Sequence, residues 1–227
     1  FIRLRQIDTT YFHQKSLRVA NLCALLATLD EQDQLFPYSV STLDVFAMGA
    51  QLGRGVVTVG DHARLDELPL ALRSKPLWVA RPSRLSVPFE LPEFTLNRLS
   101  MRLVNAVIQR IQAGARPIGH YEGFFYPLDK LLHWNRGYGR RGFTQYQFVI
   151  PFADGERRLR EILTAILGSG ELPFLNILKR LGKASPGGLS FPQEGYTLAI
   201  DFPIRRNTAE LLRRLDRLVL DAGEIGR

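Results

Sequence analysis

The strongest constraint on this chain is an order of elements that its pattern spells twice. Residues 1 to 9 alternate like a strand, and 15 to 31 set Val19, Leu22, Cys23, Leu26 and Leu29 on one helical face. Two β-rich runs follow, YSVSTLDVFA and GRGVVTVGDH. Further along, TQYQFVIPF reads as a strand and 154 to 168 as a helix carrying Leu159, Ile162, Leu163, Ile166 and Leu167 on one side. LPFLNILKRLG and EGYTLAIDFPI then read as strands. A last helix is expected over NTAELLRRLDRLVLDAG, with Asn207 and Glu210 as a capping box and Gly223 as its stop. The order β-α-β-β thus occurs at about 1–60 and again at about 144–223. Two such units can join into one large, mostly antiparallel sheet with helices packed on one face, an α+β fold. The other face is then free for a ligand or another domain.

Between the units lie a Pro-rich crossing (KPLWVARPSRLSVPFELPEF), a helix near 95–113 and the aromatic segment HYEGFFYPLDKLLHWNRGYG. Connections this long are usually functional or lie against another domain.

Composition narrows the class. With 227 residues and 45% hydrophobic content the chain can bury a core, which excludes disorder and fibrous repeats. No apolar run approaches the roughly 18–20 residues of a membrane span, and FIRLRQID has no signal-peptide core, so a soluble cytoplasmic chain, cut from something longer, is expected. Thirty Lys and Arg against 22 Asp and Glu give +8, which favours anionic partners such as phosphates or an anionic cofactor. These basic residues are spread along helices, as in LLRRLDRL, without the interleaved aromatics of a nucleic-acid platform, so no nucleic acid is expected. Cys23 is the only cysteine, which excludes an internal disulfide, and its apolar setting reads as a packed thiol. His13, His62, His120 and His133 show no ligand spacing, and no metal is expected.

Three strands each carry one unusual face. In FTQYQFVIPF, alternation puts Gln145, Gln147 and Val149 together, and an otherwise apolar strand has no need of two adjacent carboxamides. They are solvent surface, paired core groups or the wall of a wet pocket. In FLNILKRLG, Lys179 shares a face with Leu175, Ile177 and Leu181: either an anion or strong acceptor meets it, or its ammonium reaches water near a sheet edge. EGYTLAIDFPI has a small, polar side of Thr197, Ala199 and Asp201. As sheet neighbours, these faces would line one pocket. GYGRRG at 137 to 142 matches the spacing of a dinucleotide fingerprint, but it runs into a strand instead of a helix and reads as a glycine-rich turn.

The runs FYPLDKLLHWNRGYGRRGFTQYQFVIP, ELPFLNILKRLG, LSFP and GYTLAIDFPI resemble the C-terminal half of FAD-linked oxidoreductases of the vanillyl-alcohol oxidase type, and YSVSTLDVFAMGAQLGRGVVTVGDHA matches in position. The resemblance covers nearly all of the chain. It implies a substrate domain, spanning 1–227, whose broad sheet covers the ring of an FAD held by a separate domain of the same longer chain. The chain alone would then be inactive. By matching position, the family's pocket glutamines fall on Gln145 and Gln147 and its active-site lysine on Lys179, which would act on substrate and flavin, with Ile177 and Leu181 as flanking wall. Its WNR loop falls on Trp134, Asn135 and Arg136 beside the pocket. Phe125 and Tyr126 stand where a Tyr-His pair is common, Tyr126 near the cofactor, and Ala199 beside Thr197 stands where a pocket cysteine is known. The implied reaction is oxidation of a secondary alcohol of a sugar-like or polyol substrate, possibly phosphate-bearing, by hydride transfer to flavin. A non-catalytic ligand-binding module of the same architecture is the alternative.

Overall fold

The computed structural model describes residues 6–79, 85–184, 186 and 193–224. Strand β1 (Tyr11–Val19) is followed by helix α1 (Leu22–Gln32) and strands β2 (Tyr38–Leu43) and β3 (Gly55–His62). The first strand and helix depart from the expected bounds. Residues 6–9 are not strand, 1–5 lie outside the described residues, and Val19 belongs to β1. The helix starts where Asn21 caps it, its side chain accepting from the Ala24 N–H at 2.9 Å. From that start Leu22, Leu25, Leu26 and Leu29 form the buried stripe, and Cys23 is exposed. LRVANLCALLATL is apolar on nearly every side, so periodicity alone could not choose the stripe; the cap did.

The linking stretch supplies a short helix α2 (Leu70–Arg73), the long helix α3 (Arg98–Ala113), strand β4 (Ile118–His120) and the single turn α4 (Glu122–Phe125). Then come β5 (Phe143–Ile150), α5 (Gly155–Ser169), β6 (Asn176–Leu181), β7 (Gly195–Pro203) and α6 (Thr208–Glu224). The last helix continues through Gly223, which does not stop it. The GYGRRG run forms a turn in which Gly139 and Gly142 take φ of +74° and +70°, values that suit glycine.

All strands join one seven-stranded antiparallel sheet in the order β4-β1-β3-β2-β6-β7-β5. The fold is α+β, as the pattern implied. Its halves meet at β2 and β6, where Ser41 pairs with Leu178 and its hydroxyl donates to the Leu178 carbonyl at 2.8 Å. One face carries the core: Val57, Val59, Leu178, Leu198, Ile200, Phe148 and Ile150 pack with the apolar stripes of α1, α5 and α6. Tyr196 ties the halves on that side, its hydroxyl donating to Asp30 of α1.

Side chains alternate, so the neighbours of those core residues along each strand point to the opposite, open face. In the first half the chain covers this face itself. At one end Phe124 and Phe125 lie on Phe12, with ring centroids 4.5 and 5.3 Å away, and Phe125 also meets Tyr38 at 5.0 Å. Gly60 makes room for the Phe12 ring, because a Cβ there would sit 2.4 Å from the ring edge. At the other end α3 crosses, Gln109 donating to the Thr42 carbonyl at 3.2 Å while the Thr42 hydroxyl bonds Gln112.

Candidate functional site: a polar strip on the open sheet face

The second half of the open face carries the residues singled out by pattern. β7 is paired by β5 on one side and β6 on the other, setting Gln145 beside Asp201, Gln147 beside Ala199, Ile177 beside Ala199 and Lys179 beside Thr197. Gln145, Gln147, Thr197, Ala199, Ile177 and Lys179 therefore share one surface, and Leu181 continues it beside Gly195. Gln145, Gln147 and Lys179 are exposed, and among the described residues no partner bonds the Lys179 ammonium.

Each glutamine is held by its amide nitrogen. Gln145 Nε2 donates to Asp201 Oδ1 at 2.8 Å, and an ionised carboxylate can only accept. Gln147 Nε2 donates to Thr197 Oγ1 at 3.1 Å. That hydroxyl has committed its own hydrogen to the Phe148 carbonyl at 2.9 Å, so it too can only accept. Both amides are fixed in one sense by chemistry, and among the described residues neither Oε1 atom meets a donor. Two hydrogen-bond acceptors and an ammonium on one sheet face, across β7 from each other, are suited to a ligand bearing hydroxyl groups and an oxygen that takes up negative charge.

Asp201 is the residue that sequence reasoning passed over. It is buried, and it also accepts from the Tyr138 hydroxyl at 3.1 Å. Burial pushes its carboxyl above the ordinary range, while the hydrogen bonds from Gln145 and Tyr138 pull the other way. Burial, and then the Asp201 charge beside it, push the Tyr138 phenol up, so it remains a hydrogen-bond donor. Alternation had already set Asp201 on the face of Thr197 and Ala199. Its role depends on Tyr138, sixty-three residues away in sequence, and nothing local predicts that contact.

The WNR turn acts as a wall at this end of the strip. Trp134 meets Tyr138 and Phe143 at centroid distances of 6.0 and 5.4 Å, and Tyr138 stacks on Phe143 at 4.4 Å. Arg136 turns away, its Nη1 donating to the carbonyls of Val87 and Pro88 at 3.0 Å. Phe125 and Tyr126 are not brought to the glutamines. Phe125 belongs to the aromatic cover of the first half, and Tyr126 is an exposed neighbour of it at 6.3 Å.

Comparison with known proteins puts the chain beside an oxidase, matched over one part of that protein's length. The relative is decaprenylphosphoryl-beta-D-ribose oxidase of Mycolicibacterium smegmatis, 32% identical over 224 residues that make up 98% of this chain and 48% of the oxidase. An uncharacterized protein in the mprA 5′ region of Streptomyces coelicolor is 31% identical over 233 residues, covering 98% of this chain and 62% of that protein. The chain thus spans about half the length of the oxidase, in agreement with the resemblance to FAD-linked oxidoreductases carried by its motifs. No family model matches.

Proposed function

We propose that this chain, over residues 1–227, is the substrate domain of an FAD-dependent oxidoreductase that oxidises a secondary alcohol of a sugar or polyol derivative to a ketone. One observation carries the reading: Gln145 and Gln147 are each held through the amide nitrogen, which leaves Oε1 as an acceptor, and Lys179 on the same sheet face is exposed with no partner among the described residues. Similarity to an oxidase supports the reaction class.

FAD, held mainly by a domain of the longer chain, supplies the hydride acceptor. The residues present fit its reacting side and not its phosphates. Lys179 offers a cation where negative charge develops, whereas the GYGRRG turn runs into β5 and makes no helix N-terminus for a pyrophosphate. Gln145 and Gln147 accept hydrogen bonds from substrate hydroxyls and orient the carbinol. Lys179 steadies the substrate oxygen. Trp134, Ile177 and Leu181 shape the apolar rim, and Ala199 leaves room where a larger side chain would crowd the glutamines. The longer protein is assigned to the cytoplasm on the same footing, and its substrate can bear phosphate given the chain's +8 charge.

The test is single-turnover flavin reduction by candidate polyols in the protein joined to its flavin domain. Lys179→Met should slow the limiting rate by about 100-fold, the loss typical of one preorganised electrostatic group. Gln145→Leu should first raise the substrate concentration needed, because its task is orientation. An unchanged limiting rate in the Lys179 variant would remove this lysine from the reaction and take the site with it.

A further inference from the structure

The first half of the open face carries a second feature that the strip does not use. Helix α3 is 16 residues long and contains no acidic residue. Leu99, Leu103, Val107 and Ile111, spaced by four, line one side and are 79, 65, 48 and 68% exposed. Phe94, just before the helix, is exposed as well. Single exposed apolar residues are ordinary, but a continuous stripe along a whole helix marks a surface that meets something else.

The flank of the stripe is basic. Arg98, Arg102 and Arg110 sit on the same helix, and between α3 and the sheet lies a cleft of about 890 Å³ whose walls include Arg18, Arg54, Arg102 and Arg110. Arg54 is engaged by Asp44, 2.7 Å away. Among the described residues Arg18, Arg102 and Arg110 have no carboxylate or other acceptor.

We propose that α3 and its arginine-lined cleft form a docking face for an anionic lipid surface. Apolar side chains bordered by arginines, on a helix that is polar overall, is the arrangement that lies in the plane of a bilayer interface. The apolar stems of Arg102 and Arg110 continue the stripe while their guanidinium groups reach lipid phosphates. Lying flat is the available geometry, because no described helix is long and apolar enough to cross a membrane. A second copy of the chain is a poorer occupant: two such helices face to face would oppose their arginine rows. The proposal goes beyond the oxidase reading and does not rest on it.

Sedimentation with vesicles tests it without any activity measurement. The chain, alone and joined to its proposed flavin domain, should pellet with phosphatidylcholine vesicles containing phosphatidylglycerol and stay largely in solution with phosphatidylcholine alone. Pelleting by the chain alone and not by the joined protein would make the stripe a contact between domains and overturn the proposal. Arg102→Gln with Arg110→Gln should weaken binding by roughly fivefold for each arginine removed. Leu103→Glu with Val107→Glu should weaken it at least ~10-fold, by placing charge where the stripe inserts. Circular dichroism on both variants checks that these surface changes leave the fold intact. Failure to pellet with anionic vesicles overturns the proposal. Unchanged binding of the Leu103/Val107 variant also overturns it, since bulk positive charge would then suffice. So does a dimer of the parent chain that the same variant abolishes, which would make the stripe a protein contact.

Discussion

The two halves of the open sheet face start from the same order of strands and helix and end differently. In the first half, Phe12, Tyr38 and His62 lie under Phe124 and Phe125, and α3 crosses beside Thr42 with a cleft between it and the sheet. In the second, the corresponding surface is Gln145, Gln147, Thr197, Ala199 and Lys179, walled at one end by Trp134, Tyr138 and Phe143, with both glutamines and the lysine exposed. Both faces lie on the same sheet, so backbone geometry cannot be the cause of the difference. It comes from where the linking stretch lays its aromatics and from which strands carry polar groups. One half packs aromatic rings onto its open face; the other keeps Gln145, Gln147 and Lys179 exposed.

That contrast predicts unequal responses to mutation. Phe12→Ala should give the largest effect, a loss of about 3–5 kcal/mol, because it empties a buried aromatic site that surrounding rings cannot refill. Urea unfolding measures it. A loss below about 1 kcal/mol would mean that the aromatic cover is loosely packed and the halves are less different than they look.

Asp201→Asn comes next, because it lies between the Tyr138 wall and the strip. Burial raises the folded-state pKa of Asp201 above its unfolded value, so its contribution to stability is greatest below the ordinary carboxylate range and declines as pH rises through the raised value. Asparagine does not titrate. The parent should therefore lose stability relative to the variant as pH rises through the acid range, then run parallel to it, in urea unfolding carried out at a series of pH values. The opposite slope would show that the hydrogen bonds from Gln145 and Tyr138 outweigh desolvation. The variant has a second effect: one of the two acceptor positions becomes an Nδ2 donor, so either the Gln145 amide or the Tyr138 hydroxyl must turn to accept from it.

The smallest effects belong to the open strip. Gln147→Leu and Lys179→Met should each shift unfolding free energy by no more than about 0.5 kcal/mol, since both side chains are exposed and Lys179 has no partner among the described residues. A larger loss in either would show that the strip, too, serves stability, and would weaken the contrast between the halves.

Much of this was legible in the residues. Alternation in TQYQFVIPF, FLNILKRLG and GYTLAIDF set the glutamines, Lys179 and Thr197 on single faces, because a strand's period of two is strict once one side is apolar. The α5 stripe, the α+β class and the glycine turn at 137–142 followed from equally local rules. Where the pattern was ambiguous it misled: an all-round apolar run hid the start of α1 until Asn21 capped it, and Cys23 turned outward.

Other features were decided only by tertiary structure. Strand pairing made one surface of three separate faces, because register is a property of neighbours and not of a single strand. Tyr138 and Gln145 met on Asp201 because a turn from the linking stretch folds back over β7, which converts an aspartate known only as part of a polar strand side into the group that orients an amide. Phe125 went to the opposite half for the same reason, drawn to Phe12 and Tyr38 by the area their rings could bury together. Sequence by itself determined which side of each strand was polar. Only long-range packing determined which of those sides stayed open, because covering a face depends on segments far away in the chain.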